Sequence, residues 1–288
     1  MLFRSAVEKT RTSTGSLPQR PQRCASTSSA TTAYVYYITE LSQLLGGEYQ
    51  IAALSASKDM NKKTHPIRWL NQIDQPTDYL EAVTYMERLV RAIDRGSEPE
   101  TVWLLEHPSI YTRGTSALDS EIIDRESFPI YETGRGGKFT YHGPGQIVGY
   151  TMLDLRKRKM DIRAYVHDLE EWIIATLAKF SIRGERRKNK IGIWVVCKKS
   201  SINGLPEEKK IAAIGVRVRR WISYHGISIN VEPDLSHFKG IIPCGIPEFG
   251  VTSLLDLGIT ATMNDVADAM HLSFEETFGR KTRMDPKI

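Results

Sequence analysis

The sequence predicts an α+β fold built on a mixed β-sheet with flanking helices, and three observations lead there. Three segments place apolar residues at helical spacing, and four other runs read as strands. The two kinds are interspersed without the strict strand–helix alternation of a parallel α/β sheet. The chain has 288 residues, 41% of them apolar and 25% charged, so it is long enough and apolar enough for a sizeable core.

Taken in order, the first helix is read in "TDYLEAVTYMERLVRAIDRG" (77–96). Tyr79, Val83, Met86, Val90 and Ile93 share one face there, Thr77 offers an N-cap and Gly96 a stop. Strands follow at "TVWLLEH" (101–107) and "GQIVGYTMLDL" (145–155). A second helix occupies 163–180, with Val166, Leu169, Ile173, Leu177 and Phe180 as its stripe. Strand-like runs resume at "KIGIWVVC" (190–197) and "IAAIGVRVRRWISYHGISINV" (211–231), where Val216 and Val218 alternate with Arg217 and Arg219 as on a half-exposed strand. Between them "KKSSINGLPEEKK" (198–210) carries Asn203-Gly204 and Pro206 and reads as a hairpin loop. The third helix presents Val266, Met270, Phe274 and Phe278 before Gly279. These stripes are core faces rather than cofactor boxes.

Composition excludes several functions. The longest apolar run, "IGIWVVC", is far too short to span a bilayer. Cys24, Cys197 and Cys244 have no short mutual spacing, which excludes a dense disulfide framework and a cysteine-based zinc site and fits a reducing compartment. The seven histidines are equally scattered. Net charge is +5, of which Arg4, Lys9, Arg11, Arg20 and Arg23, against Glu8 and Glu40, supply a surplus of three. The remainder is too weakly basic to indicate nucleic acid, although a basic face for acidic proteins stays open. Residues 1–40, rich in Arg, Ser and Thr, have the composition of a mitochondrial presequence; a plain disordered tail is the other reading. Residues 41–65 read as a poorly ordered leader and 66–288 as the folded domain.

Two features point to chemistry. The cluster "TGRGGKFTYHGPGQIVGY" (133–150) lets backbone approach a ligand closely. It matches neither a dinucleotide fingerprint nor a P-loop, because its glycines are wrongly spaced and Gly137-Lys138 is followed by Phe139. An irregular connection between strands is its plainer reading. The second feature is "FKGIIPCGIPEFGV" (238–251), which sets Cys244, a residue type that prefers burial, between Pro243 and Gly245. Proline restricts Ile242 before it and glycine removes bulk after it, so such a loop is suited to presenting a thiol.

With "LLEHPSIYTRG", "RGGKFTYHGPGQIVGYTMLDLR", "KIAAIGVRVRRWISYHGISINV" and "GIIPCGIPEFGVTSL" in this order, the chain resembles the lipoyl(octanoyl) transferases. The resemblance covers Thr101 to Leu255 at motif strength and Pro66 to the end more loosely. It implies the catalytic domain of the lipoate- and biotin-ligase fold. It also implies transfer of an octanoyl group from octanoyl-acyl carrier protein to a lysine of lipoyl domains. The acceptors would be the E2 subunits of 2-oxoacid dehydrogenases and the glycine-cleavage H protein. No cofactor, metal, nucleic acid or membrane span is implied, and with the presequence the destination would be the mitochondrial matrix. ATP is not needed, since one thioester replaces another.

Residue by residue, the resemblance makes Cys244 the acyl-thioester nucleophile and Lys210, just before "IAAIG", its partner in lowering the thiol pKa and moving protons. Without it, "EEKK" (207–210) reads as a solvated charge run, with Lys209 a competitor. The acyl pocket would be lined by Arg135, Gly136, Gly137, Lys138, Phe139, Thr140, Tyr141 and His142, by Ala213, Ile214 and Gly215, and by Gly226, Ile227 and Ser228. His142 and His225 would flank it. Cys197 reads as a core or edge residue, and Cys24 falls in the presequence. The 198–209 hairpin is longer than in compact members and is expected to project outward. The alternatives are an ATP-dependent lipoate ligase of the same fold and a non-catalytic module that binds lipoyl domains.

Overall fold

Alternate residues of a strand serve opposite faces of its sheet, and the apolar runs of this chain use both faces. The computed structural model describes residues 66–188, 190–199, 206–242 and 250–286. The expected presequence and leader, Cys24, the hairpin tip and Cys244 lie outside the described residues. In chain order the strands are β1 (Ile67–Gln72), β2 (Thr101–Leu105), β3 (Ile110–Arg113), β4 (Ile130–Glu132), β5 (Thr140–His142) and β6 (Gln146–Met152). They continue with β7 (Glu185–Arg187), β8 (Lys190–Lys199), β9 (Pro206–Arg219), β10 (Ile222–Asn230), β11 (Gly250–Val251) and β12 (Thr282–Met284). The helices are α1 (Tyr79–Asp94), α2 (Ile162–Ala178) and α3 (Met263–Phe278).

The main sheet runs β12-β1-β2-β6-β10-β9-β8-β7, with β11 added beside β9. The pairs of β1 with β12 and β2 are parallel, and the pairs from β2 to β7 are antiparallel. The sheet is therefore mixed, as the interspersed pattern predicts. A small second sheet has the order β4-β3-β5.

Trp103 and Leu105 of β2, Val148, Tyr150 and Met152 of β6, and Ile222 and Tyr224 of β10 pack on Met86, Leu89, Val90 and Ile93 of α1. The intervening residues Val102, Leu104, Ile147, Ile227 and Ile229 join the core formed with α2 and α3. Trp172 of α2 is fully buried there. Its indole N–H donates to the Met270 carbonyl at 2.8 Å, and its ring meets Trp69 and Phe274 edge-on at 6.3 and 5.3 Å.

The structure revises several local expectations. The N-cap of α1 is Asp78, not Thr77: its carboxylate accepts the Leu80 and Glu81 N–H groups at 2.9 and 3.0 Å. A charged acceptor gains from the helix dipole in a way that the threonine hydroxyl does not. The run 211–231 is two strands, turning at Arg220 and Trp221 with φ of 50° and 65°. Neither residue is a turn former. Long-range contacts hold the bend: Leu155 N–H donates to the Trp221 carbonyl at 2.8 Å, and Arg220 pairs with Asp94 at 3.2 Å. The expected loop 198–210 is mostly strand, since β8 reaches Lys199 and β9 starts at Pro206. The third helix ends as expected, with Gly279 left-handed at φ 60°. Among the described residues no helix is long and apolar enough to cross a membrane.

Removing the Trp172 side chain opens a large void and takes the indole donor from the Met270 carbonyl. Trp172→Ala is expected to destabilise the fold by about 3–5 kcal/mol, read as a lower urea midpoint. An unchanged midpoint would show that this layer is not the main core.

Candidate functional site

Glycine 136 has no side chain, and its backbone N–H reaches the Val216 carbonyl of β9 at 2.9 Å. That contact brings the glycine-rich segment against the main sheet, beside a cavity of about 570 Å³. Arg135 anchors the segment. Its guanidinium donates to the Thr112 carbonyl and hydroxyl at 2.9 and 2.7 Å and to the Gly136 carbonyl at 3.0 Å. Lys138 is tied to the buried Glu121 carboxylate.

Every residue expected to bind substrate lines this cavity except Tyr141, and Lys210 lines it too. Tyr141 instead places its hydroxyl 3.0 Å from Ser109 Oγ and 2.8 Å from His237 Nδ1, in the core of the small sheet. Alternation along β5 explains this, because its neighbours Thr140 and His142 take the cavity side.

Lys210 is not part of a solvated charge run: it is 7% exposed. Its ammonium donates to the Ile191 carbonyl at 2.8 Å and lies 4.9 Å from the Trp194 ring centroid. Lys209, one residue earlier, is not among the cavity residues and pairs with Glu207 and Asp256 at 3.8 and 4.0 Å. The seat of Lys210 depends on Gly192, which sequence reasoning did not single out. Gly192 has φ +115°, and a Cβ there would stand 2.9 Å from Lys210 Cε and 2.7 Å from the Ala212 carbonyl oxygen. The β8–β9 register shifts beside it, between Ile193 and Trp194. An isolated glycine inside the apolar run "KIGIWVVC" is the signal that marks such a bulge. Glu170 of α2 accepts the Gly192 N–H and pairs with Arg186 at 3.4 Å, holding the bulge from the helix side.

The cavity carries four cationic side chains, Arg135, Lys138, Lys190 and Lys210, and no carboxylate among its described lining residues. Apolar groups, including Phe139, Val148, Ile162, Val166 and Ile227, make up much of the rest. Such a site suits an apolar chain ending in a group that develops negative charge. Among the described residues no cluster of His, Cys, Asp or Glu is placed to hold a metal ion.

Three buried histidines cluster here: His142 and His225 line the cavity, and the His107 ring lies 6.0 Å from that of His142. His107 donates from Nδ1 to the Thr77 carbonyl at 2.7 Å, and its Nε2 accepts from the Tyr150 hydroxyl at 2.7 Å. Burial holds His107 down at about 4. Burial first, then the charges of His107 and Arg135, hold His142 at about 3. Burial and the Arg135 charge likewise hold His225 at about 3. His225 has φ 58° inside β10, which breaks the strand's alternation and stacks its ring on Tyr224 at 5.2 Å. A left-handed non-glycine residue in a strand is the kind of local strain that collects at functional sites.

Cys244 lies outside the described residues, but both flanks of its loop are placed. The Ile242 N–H donates to the Glu121 carbonyl at 2.7 Å. On the other side β11 pairs with β9, Val251 opposite Lys210, and the Thr252 N–H donates to the Lys210 carbonyl at 2.9 Å. Cys197 is only partly buried on β8, and burial pushes its thiol up. It is not among the residues lining the cavity.

The family model described as the lipoyl protein ligase A/B catalytic domain matches residues 78–275. An octanoyltransferase of Parvibaculum lavamentivorans is 58% identical over 72% of this chain and 91% of its own length. One of Paramagnetospirillum magneticum is 56% identical over 75% of this chain and 98% of its own. Among solved structures, the bipartite lipoate protein ligase from Thermoplasma acidophilum, studied with its E2 lipoyl domain, aligns with a TM-score of 0.57 at 17% identity. That alignment covers 78% of this chain and 88% of the other. A lipoate-protein ligase A bound with ATP aligns at 0.57 and 16% identity, over 77% and 90%. These two likenesses are likenesses of fold. The relatives also overturn the mitochondrial destination expected from residues 1–40, because they are bacterial proteins, with no mitochondrial matrix to enter.

The three neutral histidines set a pH dependence of stability. Their folded values lie below the ordinary 6.5, so unfolding takes up protons between about pH 6.5 and 3. The stability they carry is complete above about pH 6.5 and is lost as pH falls toward their folded values. At pH 5 the loss is about 2 kcal/mol for each histidine. Urea midpoints measured at pH 7.5 and 5.0 should differ accordingly; equal midpoints would contradict neutral burial.

Proposed function

The chain belongs to the octanoyltransferases of the lipoyl protein ligase A/B catalytic-domain family, and on that premise we propose how it works and with which residues. It is an acyltransferase that moves octanoyl groups in protein lipoylation. In the proposed route the octanoyl group comes from a carrier-protein thioester, passes to Cys244, and ends on a lysine of a lipoyl domain. One observation carries this reading: the buried Lys210 opens onto an apolar cavity rich in cations and lined by no described carboxylate.

A free thiol titrates near about 8.5, and a nearby ammonium favours its thiolate. In the first half-reaction the Cys244 thiolate attacks the octanoyl carbonyl carbon. The carbon–sulfur bond to the donor breaks, and the departing thiolate takes a proton from Lys210. The developing oxyanion forms beside the cationic side chains of the cavity, of which Lys138 is already paired with Glu121, and beside backbone N–H groups of the glycine-rich segment. In the second half-reaction the amine of the acceptor lysine attacks the acyl-cysteine. Lys210, now neutral, accepts the amine's proton, and Cys244 leaves as thiolate. The balance is one thioester and one amine consumed, one amide and one thiol produced.

The donor and acceptor rest on family membership and on the basic lining, which complements acidic carrier and lipoyl domains. The folded catalytic unit of the proposal spans 66–288. The 198–209 insertion is proposed to project away from the site, supported by Lys210 keeping its place on the cavity beside the lengthened hairpin.

Mixing the protein with octanoyl-acyl carrier protein and measuring intact mass should reveal an octanoyl adduct that disappears in Cys244→Ser and survives in Cys197→Ser. Folded protein without an adduct would sink the cysteine route, and transfer of octanoate only with ATP would establish a ligase. Lys210→Ala is expected to lower turnover by at least about 100-fold, and Gly192→Ala to approach it by displacing the ammonium. Full activity in Lys210→Ala would mean that another base serves.

A further inference from the structure

His142 belongs to a hydrogen-bond relay whose direction can be deduced from its ends. The Thr252 carbonyl can only accept, so Asn230 Nδ2 donates to it, at 2.9 Å. Asn230 Oδ1 must then accept from Gln146 Nε2, at 2.9 Å. The Tyr141 carbonyl, 3.3 Å from the same Gln146 nitrogen, independently requires that orientation of the amide. Gln146 Oε1 therefore faces His142 Nδ1, 2.6 Å away, and the proton of the imidazole sits on Nδ1. All three side chains are buried: Gln146 is 2%, Asn230 4% and His142 8% exposed.

We propose that Gln146 and Asn230 are positioning residues that lock His142 as the Nδ1–H tautomer, so that His142 Nε2 meets the cavity as a lone pair and accepts an N–H of the substrate. This rests on the acyl-transfer reading above. His107 does not share the role, since its own Nε2 is engaged by Tyr150. Among the described lining residues the charged side chains are all donors, Arg135, Lys138, Lys190 and Lys210. An acceptor among them discriminates for a ligand that brings N–H groups. Acyl transfer offers two such groups: the attacking amine, and an amide in the arm that carries the donor thioester. The relay also reaches the second catalytic element, because the Thr252 N–H bonds the Lys210 carbonyl at 2.9 Å. The tautomer of His142 and the backbone of Lys210 are thereby held by one chain of contacts.

The groups that bear on His142 are His107 from the segment after β2, Arg135 from the glycine-rich segment, His225 from β10 and Gln146 from β6. All but the last disfavour the imidazolium. Replacing Gln146 by glutamate puts a carboxylate on Nδ1–H and favours it.

Protein carrying ¹⁵N-histidine should show His142 as a neutral Nδ1–H imidazole at pH 6.5. In Gln146→Glu the same ring should be imidazolium there, with the fall in octanoyl transfer from pH 8.5 to pH 6.5 about tenfold steeper than the parent's own. If that variant does not fold, Gln146→Met removes the acceptor, and the ring should move to the Nε2–H tautomer with a similar loss. Slowing confined to cysteine acylation assigns the contact to the donor's amide, and slowing confined to transfer from acyl-enzyme assigns it to the amine. An Nε2–H tautomer in the parent, or a Gln146→Glu pH profile identical to the parent's, overturns the proposal. Failure of the parent to acylate would refute the Cys244 route while leaving the tautomer measurement intact.

Discussion

Burying a primary ammonium ion is the constraint around which this site is arranged. Lys210 is 7% exposed, and its ammonium donates to the Ile191 carbonyl and lies against the Trp194 indole face. Both contacts favour a cation that has lost water. That arrangement needs β8 to bend over the lysine, so it needs a left-handed residue with no side chain at position 192. Through Glu170 the same bend is tied to α2, and through Trp172 α2 is tied to the core.

The fold class was legible because the helices are amphipathic and the central strands are apolar on both faces. Short strands such as β3, β4 and β5 were not, since three or four residues carry no readable period. The turn at Arg220-Trp221 was also invisible, because contacts from Leu155 and Asp94, distant in sequence, replace the usual turn residues. The glycine-rich segment and Lys210 became legible only through their order along the chain. Composition read the lysine as part of a solvated run, whereas strand pairing buries it.

Gly192, Glu170 and the Gln146–Asn230 relay belong to a different class of information. Each acts through a contact between elements that the sequence separates, β8 with β9 and α2, or β6 with β10 and the segment after β11. An isolated glycine in an apolar run hints at a bulge, but nothing local says which side chain will lie beneath it. The N-terminal composition shows the converse. It has the composition of a targeting signal, and the bacterial relatives give that reading no support.

The β8–β9 hairpin has one further implication. Its base is held by the Gly192 bulge, by the added strand β11 and by the pairing of Arg187 with Glu208 at 2.7 Å. Restraints at the base of a hairpin fix the register of its root independently of what lies beyond them. Lengthening the outer part therefore leaves the lysine's register alone, and such a tip can drift in length and composition while the chemistry below it stays put.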